Sequence, residues 1–251
     1  MKEKIECALK AADMASSFLL SHTEERKEVE SKKENDYVTL ADKEAERIII
    51  SVISTAFPSD SIYAEESGGK ITDGPLWVID PIDGTVNFMN TFPSYTISIC
   101  YMEKGEALFG IVRNVCRGET FFAQRGKGAF LNGKKISVSS LDSKHGLCIA
   151  VPPHRKHSKL DSYLKEFRRI YNYFSDIRSI GSAALSLSYV ASGRVCSYYE
   201  RYLQLYDVAA GLLIAEEAGA VNEVTEDEDG LVVISSSPSS YPDIKRAIEG
   251  V

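Results

Sequence analysis

The chain has 251 residues, of which 44% are hydrophobic and 26% charged, with a formal net charge of −7. This length allows a well-buried core in one large domain or two packed lobes, and the composition excludes a disordered chain. No apolar run approaches the roughly 20 residues that span a bilayer, and the acidic balance argues against a nucleic-acid partner, which surplus lysine and arginine would bind.

Cysteine usage and the first residues of the chain indicate a cytoplasmic protein. The five cysteines are odd in number and form no Cys-x-x-Cys pair, which predicts reduced thiols in the core. The first twenty residues carry charges throughout, unlike a signal peptide. We therefore expect a cytoplasmic protein that does not associate with membranes.

Two helices are predicted at the start of the chain. Apolar residues at helical spacing predict an amphipathic helix over residues 3–20, and a polar, charge-rich stretch follows over residues 21–35. A second helical segment runs to Phe57. Thr39, with Asp42 three residues later, resembles a capping box at its start.

The pattern of predicted strands and helices changes near residue 140. Short β-rich runs separated by Gly, Pro, Asn and Asp predict strands at 62–64, 77–80, 96–102, 108–112, 120–123, 129–131 and 136–138. Strands and helices then alternate, with strands at 147–151, 174–177, 195–199 and 231–234 and helices at 158–170, 183–191, 208–218 and the end of the chain. The pattern predicts an α+β lobe over residues 1–140, which holds the main acidic motifs, and an α/β lobe over residues 141–251.

The most informative segment is Trp77-Val-Ile-Asp-Pro-Ile-Asp-Gly-Thr85. A predicted buried strand leads directly into Asp80 and Asp83, so both carboxylates are held by a rigid element. Two carboxylates about 4 Å apart repel by roughly 4 kcal/mol at an effective dielectric constant of 20, so the pair needs a proton, a base or a divalent cation. Hard cations take oxygen ligands, and no histidine lies nearby to suggest zinc. As isolated dipeptides, Asp-Pro and Asp-Gly would be ordinary turn formers, but the complete string favours a metal site.

Two further acidic segments could join this site. Glu65 and Glu66 end a predicted strand just before Ser67-Gly68, although most adjacent glutamates belong to solvated loops. Asp207 opens a strongly periodic helix, where an N-cap would by itself account for an aspartate.

Together these segments resemble the inositol monophosphatase family. The resemblance covers nearly the whole chain, with the family's order and spacing kept in the segments 36–42, 65–67, 80–87, 126–133, 181–184, 199–200 and 207–219. Tyr206 stands where relatives usually carry tryptophan. The resemblance implies a layered αβαβα sandwich of the sugar phosphatase type, usually a homodimer, which hydrolyses phosphate monoesters with Mg²⁺ and is often inhibited by Li⁺.

The resemblance also implies a ligand set for two or three Mg²⁺ ions. Glu65, Asp80 and the carbonyl of Ile82 would hold the first ion, and Asp80, Asp83 and Asp207 the second. A third, weaker ion would use Glu65 and waters. Paired ions can activate the attacking water and neutralise charge on the leaving oxygen.

The catalytic roles fall on Thr85, Asp42 and Glu65. Thr85 is expected to orient the attacking water, with Asp42 or Glu65 accepting its proton. Gly84 and Thr85 are expected to begin a helix whose N–H groups point at the phosphate. The alternative for Thr85 is a plain N-cap.

Asp83, Gly84, Thr85, Ala183, Glu200 and Arg201 are the expected substrate-binding residues. Glu200 matches the family position that receives polyol hydroxyls, and the planar guanidinium of Arg201 suits a second phosphate. The alternative for Arg201 is a surface residue or an intersubunit ion pair.

The expected activity is hydrolysis of inositol monophosphate and fructose 1,6-bisphosphate, or of a related sugar phosphate. One alternative is a phosphatase for 3′-phosphoadenosine nucleotides, which would need a larger pocket. Another is a regulatory binding protein on this scaffold, because some relatives associate with transcription machinery. The expected partner is a small phosphate ester.

Overall fold

The computed structural model describes residues 1–22, 29–33, 36–153 and 157–250. Within these ranges there are seven α-helices: α1 (Lys2–Ser21), α2 (Leu40–Ala56), α3 (Thr85–Met89), α4 (Leu160–Tyr173), α5 (Ala183–Ala191), α6 (Leu205–Glu217) and α7 (Tyr241–Glu249). A short 3-10 turn, His157–Lys159, precedes α4. None of the helices in the described ranges combines the length and apolar character that crossing a bilayer requires.

The strands, in chain order, are β1 (Val29–Lys33), β2 (Asp36–Thr39), β3 (Ser61–Ala64), β4 (Gly68–Gly69), β5 (Leu76–Asp83), β6 (Thr96–Glu103), β7 (Glu106–Asn114), β8 (Glu119–Gln124), β9 (Gly128–Leu131), β10 (Lys134–Ile136), β11 (Leu147–Ala150), β12 (Asp176–Arg178), β13 (Ser197–Leu203), β14 (Val221–Asp227) and β15 (Gly230–Ser236). They form an eight-stranded sheet in the order β10-β9-β8-β7-β6-β5-β3-β4, a five-stranded sheet in the order β12-β11-β13-β15-β14, and the hairpin β1-β2. The larger sheet is antiparallel except where β3 runs parallel to β5.

The two large sheets and the helices form five layers. Helices α1 and α2 pack on one face of the larger sheet, and α5 and α6 pack between its other face and the smaller sheet. Helices α4 and α7 cover the outer face of the smaller sheet. The fold is therefore α+β, and the αβαβα layering expected from the resemblance is confirmed. The division into lobes at residue 140 stays a prediction.

Close packing between α6 and the larger sheet depends on a glycine. A Cβ atom added to Gly110 in β7 would lie 2.8 Å from the Cα of Ala210 in α6. Real Cβ atoms do not approach backbone that closely, so a side chain at Gly110 would push the helix away from the sheet. The contact matters for function because α6 carries Asp207 in its first turn.

The capping box predicted for α2 is confirmed. The Thr39 hydroxyl accepts a hydrogen bond from the N–H of Asp42 (3.3 Å), and the Asp42 carboxylate accepts one from the N–H of Thr39 (2.8 Å). Both residues are buried. The reciprocal bonds satisfy backbone donors that the first turn of a helix otherwise leaves unpaired.

Several element boundaries differ from those predicted. Strand β1 lies within the polar stretch at 21–35, and β14 was not predicted. The strand predicted at 136–138 occupies 134–136. Strand β13 extends to Leu203 because its edge pairs with β15 as far as Leu231, so Glu200 and Arg201 lie within the strand and not after it. The five cysteines, all in described residues, form no disulfide, but Cys7 and Cys116 are half-buried where core positions were expected.

Candidate active site

The predicted site residues meet at one cavity of about 230 Å³. Its wall is formed by the end of β5, the turn after β3, the start of α5, part of β13 and the start of α6. The predicted residues that line it are Glu65, Asp80, Ile82, Asp83, Gly84, Thr85, Ala183, Glu200, Arg201 and Asp207. The remaining one, Asp42, is fully buried and contacts Thr85. The roles expected of these residues stay predictions.

An irregularity in β5 brings Asp80 and Asp83 to the same cavity. Side chains alternate between the two faces of a regular strand, so residues three apart would point to opposite faces. Here Asp80 pairs with Ser98 and Asp83 pairs with Thr96, so β5 has one more residue than β6 between these pairs. The bulge turns both carboxylates toward the cavity. The strand itself runs through Asp83, three residues beyond its predicted end.

Asp80 lies at the centre of the negative charge. Its side chain is almost completely buried, and burial raises the pKa of the carboxyl well above its usual range. The nearby carboxylates of Glu65, Asp83 and Asp207 raise this pKa further, as does a hydrogen bond with Glu65. A cluster of this kind favours a proton or a bound cation.

Asp83 accepts four hydrogen bonds, most of them from the start of α5. Its Oδ2 accepts from the Ser182 hydroxyl (2.5 Å), the Ala184 N–H (2.8 Å) and the Thr96 hydroxyl (3.2 Å), and its Oδ1 accepts from the Ala183 N–H (3.0 Å). Burial raises the pKa of Asp83, and these donors oppose that shift. Ala183 was expected at the site from the sequence, whereas Ser182, Ala184 and Thr96 were not, because nothing local in the sequence links these three residues to Asp83.

Gly84 is the single residue between β5 and α3. Its φ is +98°, and an added Cβ would lie 3.0 Å from the carbonyl oxygen of Gly181 and 3.1 Å from that of Ser94. A side chain here would therefore be strained by both conformation and space. Gly84 is the N-cap of α3, so Thr85 is its first residue. The plain N-cap interpretation of Thr85 is wrong.

The Thr85 hydroxyl instead faces two acceptors. It lies 3.1 Å from Asp42 Oδ1 and 3.2 Å from the carbonyl oxygen of Ile82. The other oxygen of Asp42 accepts from the N–H and hydroxyl of Thr39. The arrangement places a buried carboxylate directly behind a hydroxyl that lines the cavity.

Asp207 lies in the first turn of α6, because the helix begins at Leu205 and not at Val208. Its Oδ2 accepts a hydrogen bond from the N–H of Gln204 (2.5 Å). Gln204 is thus the N-cap, and the N-cap interpretation of Asp207 is wrong. The preceding residue, Tyr206, packs against Tyr63 with ring centroids 5.8 Å apart.

Glu200 and Arg201 point to different surroundings, as adjacent residues of a strand do. Tyr198, two residues before Glu200 on the same face, donates its hydroxyl to Glu200 Oε2 (2.7 Å). Arg201 donates to Glu166 Oε1 (2.9 Å) and to the Tyr199 hydroxyl. Arg201 therefore lines the cavity while already paired within the chain, and the alternative of a surface residue or an intersubunit ion pair stays a prediction.

The donor set fits magnesium. The cavity offers carboxylates and a backbone carbonyl, the oxygen ligands that Mg²⁺ prefers, and Asp80 is destabilised as an anion by its neighbours. Within the described ranges, no three His, Cys, Asp or Glu side chains are already arranged as a metal-binding group. The fit therefore rests on the chemistry of the donors and on their repulsion.

Comparison with known proteins gives the same assignment as the motifs. The model of the inositol monophosphatase family matches residues 1–244. The chain belongs to the inositol monophosphatase family. Members of this family generally depend on magnesium.

Relatives within the inositol monophosphatase family carry two kinds of name. The chain is 38% identical over 227 residues to the Nus factor SuhB of Vibrio cholerae, covering 88% of this chain and 85% of that protein. The extragenic suppressor protein SuhB of Bartonella henselae has a similar structure, with a TM-score of 0.91, 32% identity and 98% of each chain covered. An inositol monophosphatase from Anabaena (Nostoc) has a TM-score of 0.87, 30% identity, and coverage of 100% of this chain and 96% of its own.

Proposed function

We propose that this protein is a Mg²⁺-dependent phosphatase that hydrolyses inositol monophosphate, fructose 1,6-bisphosphate or a related sugar phosphate. The observation that carries the proposal is the position of Asp80, buried among three other carboxylates that oppose its ionisation. Family membership supports phosphatase chemistry in general, and the substrate is inferred from the family resemblance and from Glu200 and Arg201, which line the cavity.

Glu65, Asp80, Asp83, Asp207 and the carbonyl of Ile82 are the residues that would hold magnesium. Bound magnesium would lower the pKa of the attacking water and neutralise charge on the leaving oxygen. All of these groups lie on the wall of one cavity. The ion count expected from the resemblance is two or three.

Thr85 and Asp42 would move the proton of the attacking water. The Thr85 oxygen accepts a proton from water while its own proton passes to Asp42 Oδ1, 3.1 Å away. Asp42 is buried and fixed by Thr39, so it does not need to move during this transfer. Glu65, which also lines the cavity, is the alternative proton acceptor.

The substrate would be oriented by the other side of the cavity. The N–H groups of Gly84 and Thr85 would receive the phosphate, with Asp83 and Ala183 beside it. Glu200 would accept hydrogen bonds from polyol hydroxyls, because its carboxylate is held in place by Tyr198. Arg201 would lie beside the distal end of the substrate.

A panel assay tests the proposal. The purified protein is offered inositol 1-phosphate, fructose 1,6-bisphosphate and a 3′-phosphoadenosine nucleotide, each with Mg²⁺ and with EDTA. We expect Mg²⁺-dependent hydrolysis of the first two and little of the nucleotide. Hydrolysis in EDTA, or the same rate in Asp80→Asn as in wild type, would show that the carboxylate cluster is not the catalytic centre.

A second function is favoured by the names of the relatives. The Vibrio cholerae relative is called a Nus factor, so association with transcription machinery is the second candidate for this chain. Co-purification of wild type and Asp80→Asn with transcription complexes tests it. Equal recovery of both variants would indicate a binding role independent of hydrolysis, and recovery of neither would exclude that role.

A homodimer is also expected, and size-exclusion chromatography with light scattering measures it.

A further inference from the structure

Glu46 is a buried carboxylate that no catalytic role accounts for. It lies in the middle of α2 with only 3% of its surface exposed. Its Oε2 accepts a hydrogen bond from the N–H of Glu66 and its Oε1 accepts one from the N–H of Ser67, both at 2.8 Å. Each oxygen of one carboxylate thus binds one of two successive backbone amides.

These two amides belong to the turn that carries Glu65. The turn follows β3, and the N–H of Glu65 itself donates to the carbonyl oxygen of Ile79 in β5 (3.1 Å). Ile79 immediately precedes Asp80. The backbone on one side of Glu65 is therefore tied to the strand that carries Asp80, and the backbone on the other side is tied to Glu46.

A neutral or shorter side chain could not reproduce this attachment. A carboxylate has only acceptor sites, so it can bind two converging N–H donors, and such charge-assisted hydrogen bonds are stronger than neutral ones. A glutamine would place an NH₂ group against one of the donors. Burying a carboxylate costs free energy unless it is hydrogen-bonded, so these two bonds are what stabilise Glu46 in its buried position.

The same helix face also carries Asp42. Residues four apart lie next to each other on a helix surface, so Asp42 and Glu46 occupy one face of α2, one turn apart. Asp42 contacts Thr85, and Glu46 contacts the Glu65 turn. One rigid helix therefore sets the positions of two segments of the site that lie far apart in sequence.

We infer that Glu46 is a positioning residue that places the Glu65 carboxylate beside Asp80 for metal binding. The inference rests on the proposed function, in which Glu65 is a magnesium ligand. Supporting residues around metal ligands typically change metal affinity by about 10- to 100-fold when they are removed. Glu46 acts through the turn and touches neither the substrate nor the metal.

The test compares Glu46→Gln with Glu44→Gln, which makes the same chemical change two residues away on α2. Glu44 is ion-paired with Arg47 at the surface, so its variant controls for loss of charge from the helix. Metal-free proteins are titrated with MgCl₂ by calorimetry, and Tm is measured in EDTA and in saturating Mg²⁺. Glu46→Asp, which keeps the charge but shortens the reach, is measured in parallel.

We expect Glu46→Gln to bind Mg²⁺ about tenfold or more weakly, with a smaller Mg²⁺-induced rise in Tm and with kcat recovering at high Mg²⁺. Glu44→Gln should bind as wild type does, and Glu46→Asp should lie between them. A purely structural Glu46 would lower Tm in EDTA and leave Mg²⁺ affinity unchanged, which would overturn the inference alone. If Glu46→Gln does not fold, unchanged Mg²⁺ affinity in Glu46→Asp overturns it in the same way. Wild-type protein that binds no Mg²⁺ would overturn both this inference and the proposed function.

Discussion

The Thr85 hydroxyl lies 3.1 Å from Asp42 Oδ1, although 43 positions separate the two residues in the chain. The first prediction concerns this pair. Thr85→Ala should lower kcat by about 10²- to 10⁴-fold with little change in Mg²⁺ affinity, because the hydroxyl would act on water and not on the ion. Thr85→Ser keeps the hydroxyl and should retain most activity. Equal kcat in Thr85→Ala and wild type at saturating Mg²⁺ would remove Thr85 from the mechanism.

The second prediction is that substitutions at Asp80 and Asp83 change the stability of the metal-free protein in opposite directions. Asp80 is opposed by neighbouring carboxylates, so Asp80→Asn should raise the free energy of unfolding of the metal-free protein by about 1 kcal/mol or more. Asp83 accepts bonds from Ser182, Ala183 and Ala184, and an asparagine would turn an NH₂ group toward some of these donors. Asp83→Asn should therefore lower the free energy of unfolding of the metal-free protein by about 1–3 kcal/mol.

Urea unfolding in EDTA measures both variants, and both should be inactive with Mg²⁺ present. From sequence alone, loss of a charge at Asp83 could be expected to stabilise the metal-free protein. We expect the hydrogen bonds from the start of α5 to outweigh that gain. A stabilised Asp83→Asn would show that charge repulsion outweighs these bonds.

The third prediction concerns substrate choice at Arg201. Glu166 and Asp227 lie 2.9 and 3.7 Å from its guanidinium, so its positive charge is largely neutralised where a second phosphate would need it. Glu166→Gln should raise kcat/KM for fructose 1,6-bisphosphate relative to inositol 1-phosphate by roughly five- to tenfold, equivalent to about 1 kcal/mol.

The double variant Glu166→Gln/Arg201→Ala is the matched control and should lose this gain. If Glu166→Gln changes kcat/KM for both esters in parallel, Arg201 does not contact the second phosphate. Both results are obtained from the same steady-state assay with two substrates.

The fourth prediction is a pH dependence of stability at Glu119. Two guanidinium nitrogens of Arg194, 2.5 and 3.0 Å away, hold the pKa of Glu119 below its ordinary value of 4.5. A depressed pKa in the folded state stabilises the protein above the ordinary value, and this stabilisation is lost as the pH falls through the folded-state pKa. The free energy of unfolding of Glu119→Gln should therefore fall below that of wild type at pH 7, and the difference should shrink below pH 4.5. Urea unfolding from pH 7 to pH 3 checks this, and a constant difference would contradict it.

Local patterns in the sequence predicted the helices and most of the central strands. Residues 183–191 were predicted as a helix and form α5, because eight of its nine residues are apolar or small and the Ser182 side chain caps its start. Strand β14 was missed because it is an edge strand with mostly polar residues. Among the described residues, only one of its two edges is hydrogen-bonded to another strand, β15. Such a strand depends on its neighbour more than on its own pattern.

The sequence predicted those residues of the site that belong to recognisable motifs. Asp80 and Asp83 follow from a short continuous string, but their common orientation depends on a bulge that only the pairing with β6 reveals. Glu46 was missed because a glutamate within an amphipathic helix is usually solvated. Its role emerges only when the Glu65 turn, twenty residues later in the chain, is placed against it.

Asp42 and Asp207, for which we propose roles in proton transfer and metal binding, each accept a hydrogen bond from the backbone at the start of their helix. Asp80 caps no helix and is opposed by its neighbours. A descendant of this protein that kept only a binding role could discard Asp80 and become more stable, whereas losing Asp42 or Asp207 would also weaken a helix. Drift toward an inactive relative should therefore begin at Asp80, while the aspartates at the third positions of α2 and α6 would be retained longer.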